Sequence, residues 1–276
     1  DLVRFCQVII QKTIQKMMSL KGRSALITGA NGSIGRQMAI TIAELGGDLV
    51  LVDMPGRNYD DLLTVIDGFG VNVTCIDCDL EDENARKELI SNINEHPNPL
   101  NILINNAAFV STTHLKGWLT DFEGQSLDAW RRCMEVNLTA VFDLSKGLAR
   151  KIKLSGHGSI INIASIYGVS GPDYSLYDDT DMGNPAAYAV SKGGLIQLTR
   201  WLSTTLAPDI RVNSLSPGGV FRDQPNEFVQ RYEAKTPLGR MAVEEDFKGT
   251  VTYLASDLSE YVTGQNILVD GGWTVW

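Results

Sequence analysis

The sequence predicts an α/β fold: one doubly wound domain with a seven-stranded parallel sheet and helices on both faces. Three observations predict it. From Ser24 onward, short apolar runs alternate with helix-like segments to the end of the chain. The runs are continuous and rich in Val, Ile and Leu, which is the composition of strands buried on both faces. No linker, low-complexity tract or repeat interrupts residues 20–276, so a single domain is expected there. The elements follow in order. Ala25-Leu26-Ile27 is the first strand, and a helix after Gly35 runs to about Leu45, where Gly46-Gly47 stop it. Leu49–Val52 is the second strand, ending at Asp53. A helix around Tyr59–Ile66 leads to a third strand at Val71–Ile76. A charged helix covers roughly Asp82–Glu95, and Ile102–Ile104 is the fourth strand. A long loop, Phe109–Gln125, precedes a helix from Leu127 to about Lys153. The fifth strand is Ser159–Ile163, and the next helix, carrying Tyr188, runs to about Leu206. Ile210–Leu215, a helix near Glu244–Ala255 and a strand at Asn266–Val269 complete the pattern. Right-handed strand–helix–strand crossovers then place helices on both sides of the sheet.

Residues 1–19 stand apart as an N-terminal extension. Ile9, Ile10, Ile14, Met17 and Met18 recur at helical spacing, with Lys12 and Lys16 between them. Neither the continuous apolar core nor the small-residue cleavage site of a signal peptide is present. The segment reads as added upstream sequence or an amphipathic arm.

Composition excludes several classes. The chain has 276 residues, 43% hydrophobic and 21% charged, and a net charge of −9. An acidic balance without clustered Lys and Arg argues against nucleic acid as a partner. No uninterrupted apolar stretch of about 18 residues exists, so no membrane span is expected. Four sparse cysteines, Cys6, Cys75, Cys78 and Cys133, suit a reducing compartment, and a cytoplasmic location is expected. Cys75 and Cys78 form a single C-x2-C with no second pair, and His96, His114 and His157 are scattered, so no metal site is expected.

Two stretches carry chemistry. The first is the loop Thr28–Gly35, which follows a strand and opens a helix. Its spacing is Gly29-x2-Gly32-x2-Gly35. Glycines there permit a tight turn and close backbone approach to a pyrophosphate at the positive end of a helix. Gly29, Asn31, Gly32, Ser33, Ile34 and Gly35 are therefore the expected phosphate-side contacts of a dinucleotide in a Rossmann-like fold. Asp53, followed by Met54, ends the second strand 18 residues beyond Gly35. A carboxylate at that place takes the adenosine ribose hydroxyls and repels a 2′-phosphate, so NAD is favoured over NADP; Arg57 nearby pulls the other way. The second stretch is Ser165 to Lys192. On a helix, Tyr188 and Lys192 share one face, with Cβ atoms roughly 5–6 Å apart. A neighbouring ammonium favours the phenolate and brings a tyrosine, with its usual pKa near ~10, within range of general acid–base work.

With these residues in place the chain resembles the short-chain dehydrogenase/reductase family over residues 20–276. The resemblance rests on Thr28–Gly35, Asp53, Asp79-Leu80, Asn105-Asn106-Ala107-Ala108, Asn137, Ser165, Tyr188-x3-Lys192, Pro217-Gly218, Val262-Thr263-Gly264-Gln265 and Val269-Asp270-Gly271-Gly272. It implies that Tyr188 is the catalytic acid/base and that Lys192 lowers its pKa and holds the nicotinamide ribose. Ser165 would bind the substrate oxygen, and Asn137 would anchor a water relayed to Lys192. It also implies that Asp79, with Leu80, holds the adenine, that Asn106, Ala107 and Ala108 meet the adenosine side, and that Pro217, Gly218 and the backbone to Val220 line the nicotinamide. Asn105 is equally well explained as a sheet-end hydrogen-bonding residue.

The departures from the family pattern concern substrate. Ser33 stands where compact members usually have a glycine, no threonine follows Pro217-Gly218 at the usual place, and Ser165 and Tyr188 are 23 residues apart. The extra residues, Gly171–Pro185, carry Tyr174, Tyr177, Asn184 and the acids Asp173, Asp178, Asp179 and Asp181. Lying between two site residues, they are expected to rim the site, to suit a polyhydroxylated small molecule and to disfavour anionic ones, although Arg222 would offset the acids; a solvated surface loop is the plain alternative. Together with Ser165-Ile166-Tyr167-Gly168 they resemble members associated with flagellin and surface-sugar modification. The expected activity is NAD-dependent interconversion of a secondary alcohol and a ketone on a sugar- or polyol-like substrate. The alternatives are a nucleotide-sugar epimerase or dehydratase with tightly held NAD, and a non-catalytic NAD-binding regulator. The resemblance further implies a homodimer or homotetramer; Trp273 and Trp276 suit an interface, a lid or core packing.

Overall fold

A computed structural model describes residues 13–110 and 115–276. The expected pattern at residues 9–12, Cys6 and His114 lie outside the described residues. Thr13 caps a short helix, α1 (Ile14–Met18), by accepting a hydrogen bond from the Lys16 amide. Beyond it, seven strands form one parallel sheet in the order β3-β2-β1-β4-β5-β6-β7. They are β1 (Ser24–Thr28), β2 (Asp48–Asp53), β3 (Val73–Asp77), β4 (Ile102–Asn105), β5 (Gly158–Ile163), β6 (Ile210–Pro217) and β7 (Asn266–Val269).

The helices are α2 (Ser33–Glu44), α3 (Asp60–Asp67), α4 (Glu83–Glu95), α5 (Leu127–Met134), α6 (Ala140–Ser155), α7 (Ala186–Leu206), α8 (Asn226–Lys235) and α9 (Lys248–Ala255). Strand residues alternate between two cores, one on each face of the sheet. Ala25, Ile27, Ile102, Ile104 and Ile161 pack with Met38 and Ile42 of α2, Leu62 and Ile66 of α3, and Val251 and Leu254 of α9. Leu26, Leu103 and Ile160 pack on the other side with Leu89 and Ile93 of α4, Leu144 and Leu148 of α6, and Leu202 of α7. This double burial is why the runs of the central strands β1 and β4 are largely apolar.

Three features depart from the expected elements. The helix expected from Leu127 to Lys153 is broken into α5 and α6 by one π-helical turn, Glu135–Thr139, which contains Asn137. The segment Glu244–Ala255 begins as a 3-10 turn, Glu244–Phe247, before α9. Helix α8 was not foreseen. Its sequence is mostly polar, and it buries only Phe228 and Tyr232, four residues apart. That pair belongs to a third small cluster with Ile166, Leu176, Met241 and Trp273, which joins α8 to the insert before α7.

The sheet order reverses between β1 and β4, since β1 is followed across the sheet by β2 on one side and β4 on the other. Crevices open at the carboxyl ends of strands at such a switch point.

Candidate active site

A cleft of about 780 Å³ opens above that switch point. Of the residues singled out in the sequence, Gly29, Asn31, Gly32, Ser33, Ile34, Gly35, Asp53, Met54, Asp79, Leu80, Asn106, Ala107, Ala108, Ser165, Tyr188, Lys192, Pro217, Gly218 and Val220 all line it. Asn137 does not; it is buried behind the wall.

At one end, β1 turns into α2 through the glycine loop. Gly29 has a positive φ of 61°, and a Cβ there would lie 2.8 Å from the Ala107 Cα. A Cβ on Gly35 would fall 2.1 Å from the Gly29 carbonyl oxygen. These two glycines keep the loop flat against β4 and leave the N-terminus of α2 open to the cleft. Gly32 is less constrained: it N-caps α2 with φ −72°, and an added Cβ would sit 3.3 Å from the Gly29 oxygen. The amide of Asn106 donates to the Thr28 and Gly29 carbonyls, both at 3.0 Å, and so ties β4 to the loop.

Asp53 ends β2 beside the loop. Its carboxylate accepts the Asn31 and Met54 backbone N–H groups, each at 2.8 Å, and lies 3.9 Å from the Arg57 guanidinium. Asp79 accepts the Glu81 N–H at 2.9 Å. Asn105 bonds Asn162 at 2.9 Å across β4 and β5, which fits the sheet-end reading. A glycine cradle that a Cβ would fill, an open helix N-terminus and a carboxylate at the end of β2 together fit a dinucleotide.

At the other end the structure brings Ser165, Tyr188 and Lys192 together. Ser165 follows β5 and caps a 3-10 turn, Ile166–Gly168. That turn presses onto α7: a Cβ on Gly168 would lie 2.9 Å from the Lys192 carbonyl carbon and oxygen. The contact sets the Ser165 hydroxyl in hydrogen-bonding range of Tyr188. Lys192 donates to the Ile163 carbonyl at 2.7 Å, and its Nζ is 5.8 Å from the Tyr188 ring centroid.

Electrostatics here differ from the expectation. Burial holds the Tyr188 hydroxyl above its usual value of 10, opposed by the hydrogen bond from Ser165 and the charge of Arg222. Burial also brings Lys192 down to about 8. Desolvation thus sets the direction for Tyr188, and the groups that oppose it are Ser165 and Arg222 rather than the anticipated Lys192.

Asn137 braces the site through its side chain. Its carbonyl accepts the Phe109 N–H at 2.7 Å, and its amide donates to the Phe109 carbonyl and the Ser191 hydroxyl, both at 3.1 Å. It therefore joins the segment after β4 to the residue preceding Lys192. Both amide protons are engaged, so the side chain has none to give a relayed water.

The insert is arranged differently from the expected acidic rim. None of Asp173, Asp178, Asp179 and Asp181 lines the cleft. Asp173 pairs with Lys235, and Arg231 binds the Asp178 carbonyl and lies 3.7 Å from the Asp179 carboxylate. The cations of α8 pair with Asp173 and Asp179 and hold the insert to that helix, and all four acids lie outside the cleft lining. What faces the cleft is Tyr167, Tyr177, Met182, Gly183 and Asn184, with Phe228 and Tyr232 of α8, Met241, Gln224 and Arg222. Arg222 is 3.2 Å from Glu244. Phe228, Tyr232 and Met241 were not singled out in the sequence; the apolar pair at helical spacing was the available signal. Trp273 packs in the core against Tyr167 and Tyr232, whereas Trp276 is exposed and donates to the Lys235 carbonyl at 3.2 Å.

Cys75, Cys78 and Cys133 are free thiols. Among the described residues no group of three or more His, Cys, Asp or Glu side chains could hold a metal, and no helix is long and apolar enough to cross a membrane.

The family model described as enoyl-(acyl carrier protein) reductase matches residues 29–274. The 3-oxoacyl-[acyl-carrier-protein] reductase FabG of Rickettsia felis is 34% identical over 264 residues, covering 93% of this chain and 98% of that protein. The structure of a short-chain dehydrogenase from Leptospira borgpetersenii with bound NAD+ is 35% identical, with a TM-score of 0.79 over 95% of this chain and 96% of that one. The NADPH-dependent 3-quinuclidinone reductase of Rhodotorula rubra superposes with a TM-score of 0.83 at 28% identity, over 96% of each chain. The chain belongs to the short-chain dehydrogenase/reductase family, whose alcohol- and ketone-type oxidoreductases use nicotinamide dinucleotides.

Proposed function

We propose that this chain interconverts a secondary alcohol and a ketone on a polyhydroxylated small molecule, with NAD as the preferred cofactor. The observation that carries the reading is the meeting of Ser165, Tyr188 and Lys192 at the end of the cleft away from the glycine loop. Gly29, Gly32 and Gly35 with the amide end of α2 would hold the pyrophosphate, and Asp53 the adenosine ribose. Asp79, Leu80 and Ala107 would line the adenine side, and Pro217, Gly218 and Val220 the nicotinamide. Bound there, the nicotinamide supplies a hydride acceptor for oxidation and a donor for reduction.

Ser165 holds the substrate oxygen by a hydrogen bond. Tyr188 takes the hydroxyl proton as the carbinol C–H bond breaks, and returns it to the carbonyl oxygen on reduction. Its raised pKa keeps it protonated at neutral pH, which supports its use as a proton donor in reduction; oxidation calls on the phenolate, whose fraction grows with pH. Lys192 is charged below about 8 and supplies the nearby positive charge.

The NAD preference is supported by the Asp53 carboxylate, which a 2′-phosphate would meet at close range. The substrate class is supported by the phenols and amide of the insert. An oligomer is supported by exposed apolar side chains on the elements through which family members associate: Phe142 on α6, Val190 and Trp201 on α7, and Leu268 on the edge strand β7.

The test is Tyr188→Phe. Turnover should fall by about two to four orders of magnitude, while NAD affinity, read by fluorescence titration, stays within a few-fold. Near-normal turnover in a folded variant would remove the assignment.

A further inference from the structure

Four described side-chain atoms are buried without a hydrogen-bond partner: Tyr59 Oη, Asn105 Oδ1, Asn184 Oδ1 and Trp273 Nε1. Of these four residues only Asn184 lines the cleft. It is 7% exposed and stands directly before Pro185, the N-cap of α7, four residues ahead of Tyr188. Its place relative to Tyr188 is therefore set by the first turn of that helix, where the Tyr188 N–H donates to the Pro185 carbonyl at 3.0 Å.

The neighbours of Asn184 leave a specific set of unused groups. The hydroxyls of Tyr167 and Tyr177 are 2.6 Å apart, so one donates to the other. The Asn184 amide lies beside both phenols and offsets part of the rise that burial gives their pKa values. Tyr177 stacks on Phe228 at 5.6 Å between ring centroids, and Tyr167 packs edge-on to Trp273 at 6.2 Å, so neither ring is free to turn away. One phenolic proton and the Asn184 carbonyl oxygen are thus left without a partner. That is one donor and one acceptor side by side, which is the complement of an alcohol hydroxyl. A carboxylate has no proton for the carbonyl, and an alkyl chain would leave it buried and unpaired.

We infer that Asn184, Tyr167 and Tyr177 form a subsite for a second, non-reacting hydroxyl of the substrate, and that this subsite selects diols and polyols over simple alcohols and over chains bearing an anion at that position. The inference rests on the reading above for the position of the reacting carbinol. Tyr177 and Asn184 lie in the insert Gly171–Pro185, and Tyr167 in the 3-10 turn just before it, so the subsite depends on this chain's own insert.

The test is calorimetric titration of the NADH-loaded chain, in which an alcohol binds without turnover. The probes are cyclohexanol, the 1,2-, 1,3- and 1,4-cyclohexanediols, and 4-hydroxycyclohexanecarboxylate. At least one diol should bind tighter than cyclohexanol and the carboxylate by on the order of tenfold or more. Asn184→Leu should bring that ratio close to one. Tyr177→Phe, which keeps the ring stacking, should reduce it too and serves if the first variant does not fold. Equal binding of diols and cyclohexanol, a preference for the carboxylate, or a diol preference that survives both substitutions would overturn the subsite. Turnover of the same probes with NAD reports separately on the oxidoreductase reading. A diol preference without any NADH formation would leave the subsite standing and remove that reading.

Discussion

Replacing Asn137 should loosen the joint between the cofactor strand and the helix that carries Tyr188 and Lys192. In the wild type one side chain serves three groups: the Phe109 N–H, the Phe109 carbonyl and the Ser191 hydroxyl. Asn137→Ala strands both backbone groups of Phe109, at about 1–3 kcal/mol each. Ser191 suffers less, because its hydroxyl still donates to the Tyr188 carbonyl at 2.7 Å. A loss of roughly 2–6 kcal/mol follows, a large part of an ordinary domain's stability. Asn137→Asp separates hydrogen bonding from volume. Its carboxylate still accepts the Phe109 N–H but faces the Phe109 carbonyl with no proton. The folded state should therefore hold that proton above the ordinary carboxyl value of about 3.9. The sign follows from linkage: below that value both states are protonated and the variant is least impaired, and stability is lost as pH rises through the folded pKa. Urea denaturation followed by tryptophan fluorescence between pH 4 and 8 measures both variants. A loss under about 0.5 kcal/mol for Asn137→Ala, or an Asp variant insensitive to pH, would refute the reasoning.

Three further outcomes are expected. Gly35→Ala places a Cβ 2.1 Å from the Gly29 oxygen, so cofactor affinity should fall by on the order of a hundredfold or more while Gly32→Ala, at 3.3 Å, costs far less; equal effects in a titration with NAD would contradict the steric account. Asp53→Ala should shift the NADP-to-NAD ratio of kcat/KM toward NADP by on the order of tenfold, aided by Arg57, and an unchanged ratio would show that Asp53 serves only to bind the Asn31 N–H. The folded chain releases the Lys192 proton at about 8 and the unfolded chain at 10.5, so the unfolded state binds more protons between them. The stability of the wild type relative to Lys192→Met should therefore rise by about 3 kcal/mol from pH 7 to above 10, and a flat difference would place the ammonium in solvent.

Much of the fold and site was legible in the sequence because it rests on local patterns. Strand runs buried on both faces are continuous in sequence as well as in space, and Gly29, Asp53, Ser165, Tyr188 and Lys192 each sit at the end of an element or on one helix face. What escaped depends on partners distant in sequence. The acids of the insert read as a rim because nothing local revealed that Lys235, some sixty residues on, would pair with Asp173, or that Arg231, some fifty residues on, would bind the backbone at Asp178 and lie beside Asp179. Helix α8 escaped because two buried aromatic residues are its whole apolar face. The π-turn at Asn137 interrupts a segment whose pattern reads as continuous helix, and its cause is tertiary: Asn137 turns inward to hold Phe109. The pKa of Tyr188 turned on how dry the cleft is, which spacing alone does not report.

The most direct measurement of the central claim is the fate of a carbinol hydrogen. A 1,4-cyclohexanediol deuterated at its carbinol carbons is incubated with NAD and the chain, and the products are read by mass spectrometry and NMR. Transfer of one deuterium to a single face of nicotinamide C4, with none released to water, is the predicted result, and it should disappear in Tyr188→Phe. Deuterium appearing in water, or a transfer that persists unchanged without the Tyr188 hydroxyl, would contradict the account.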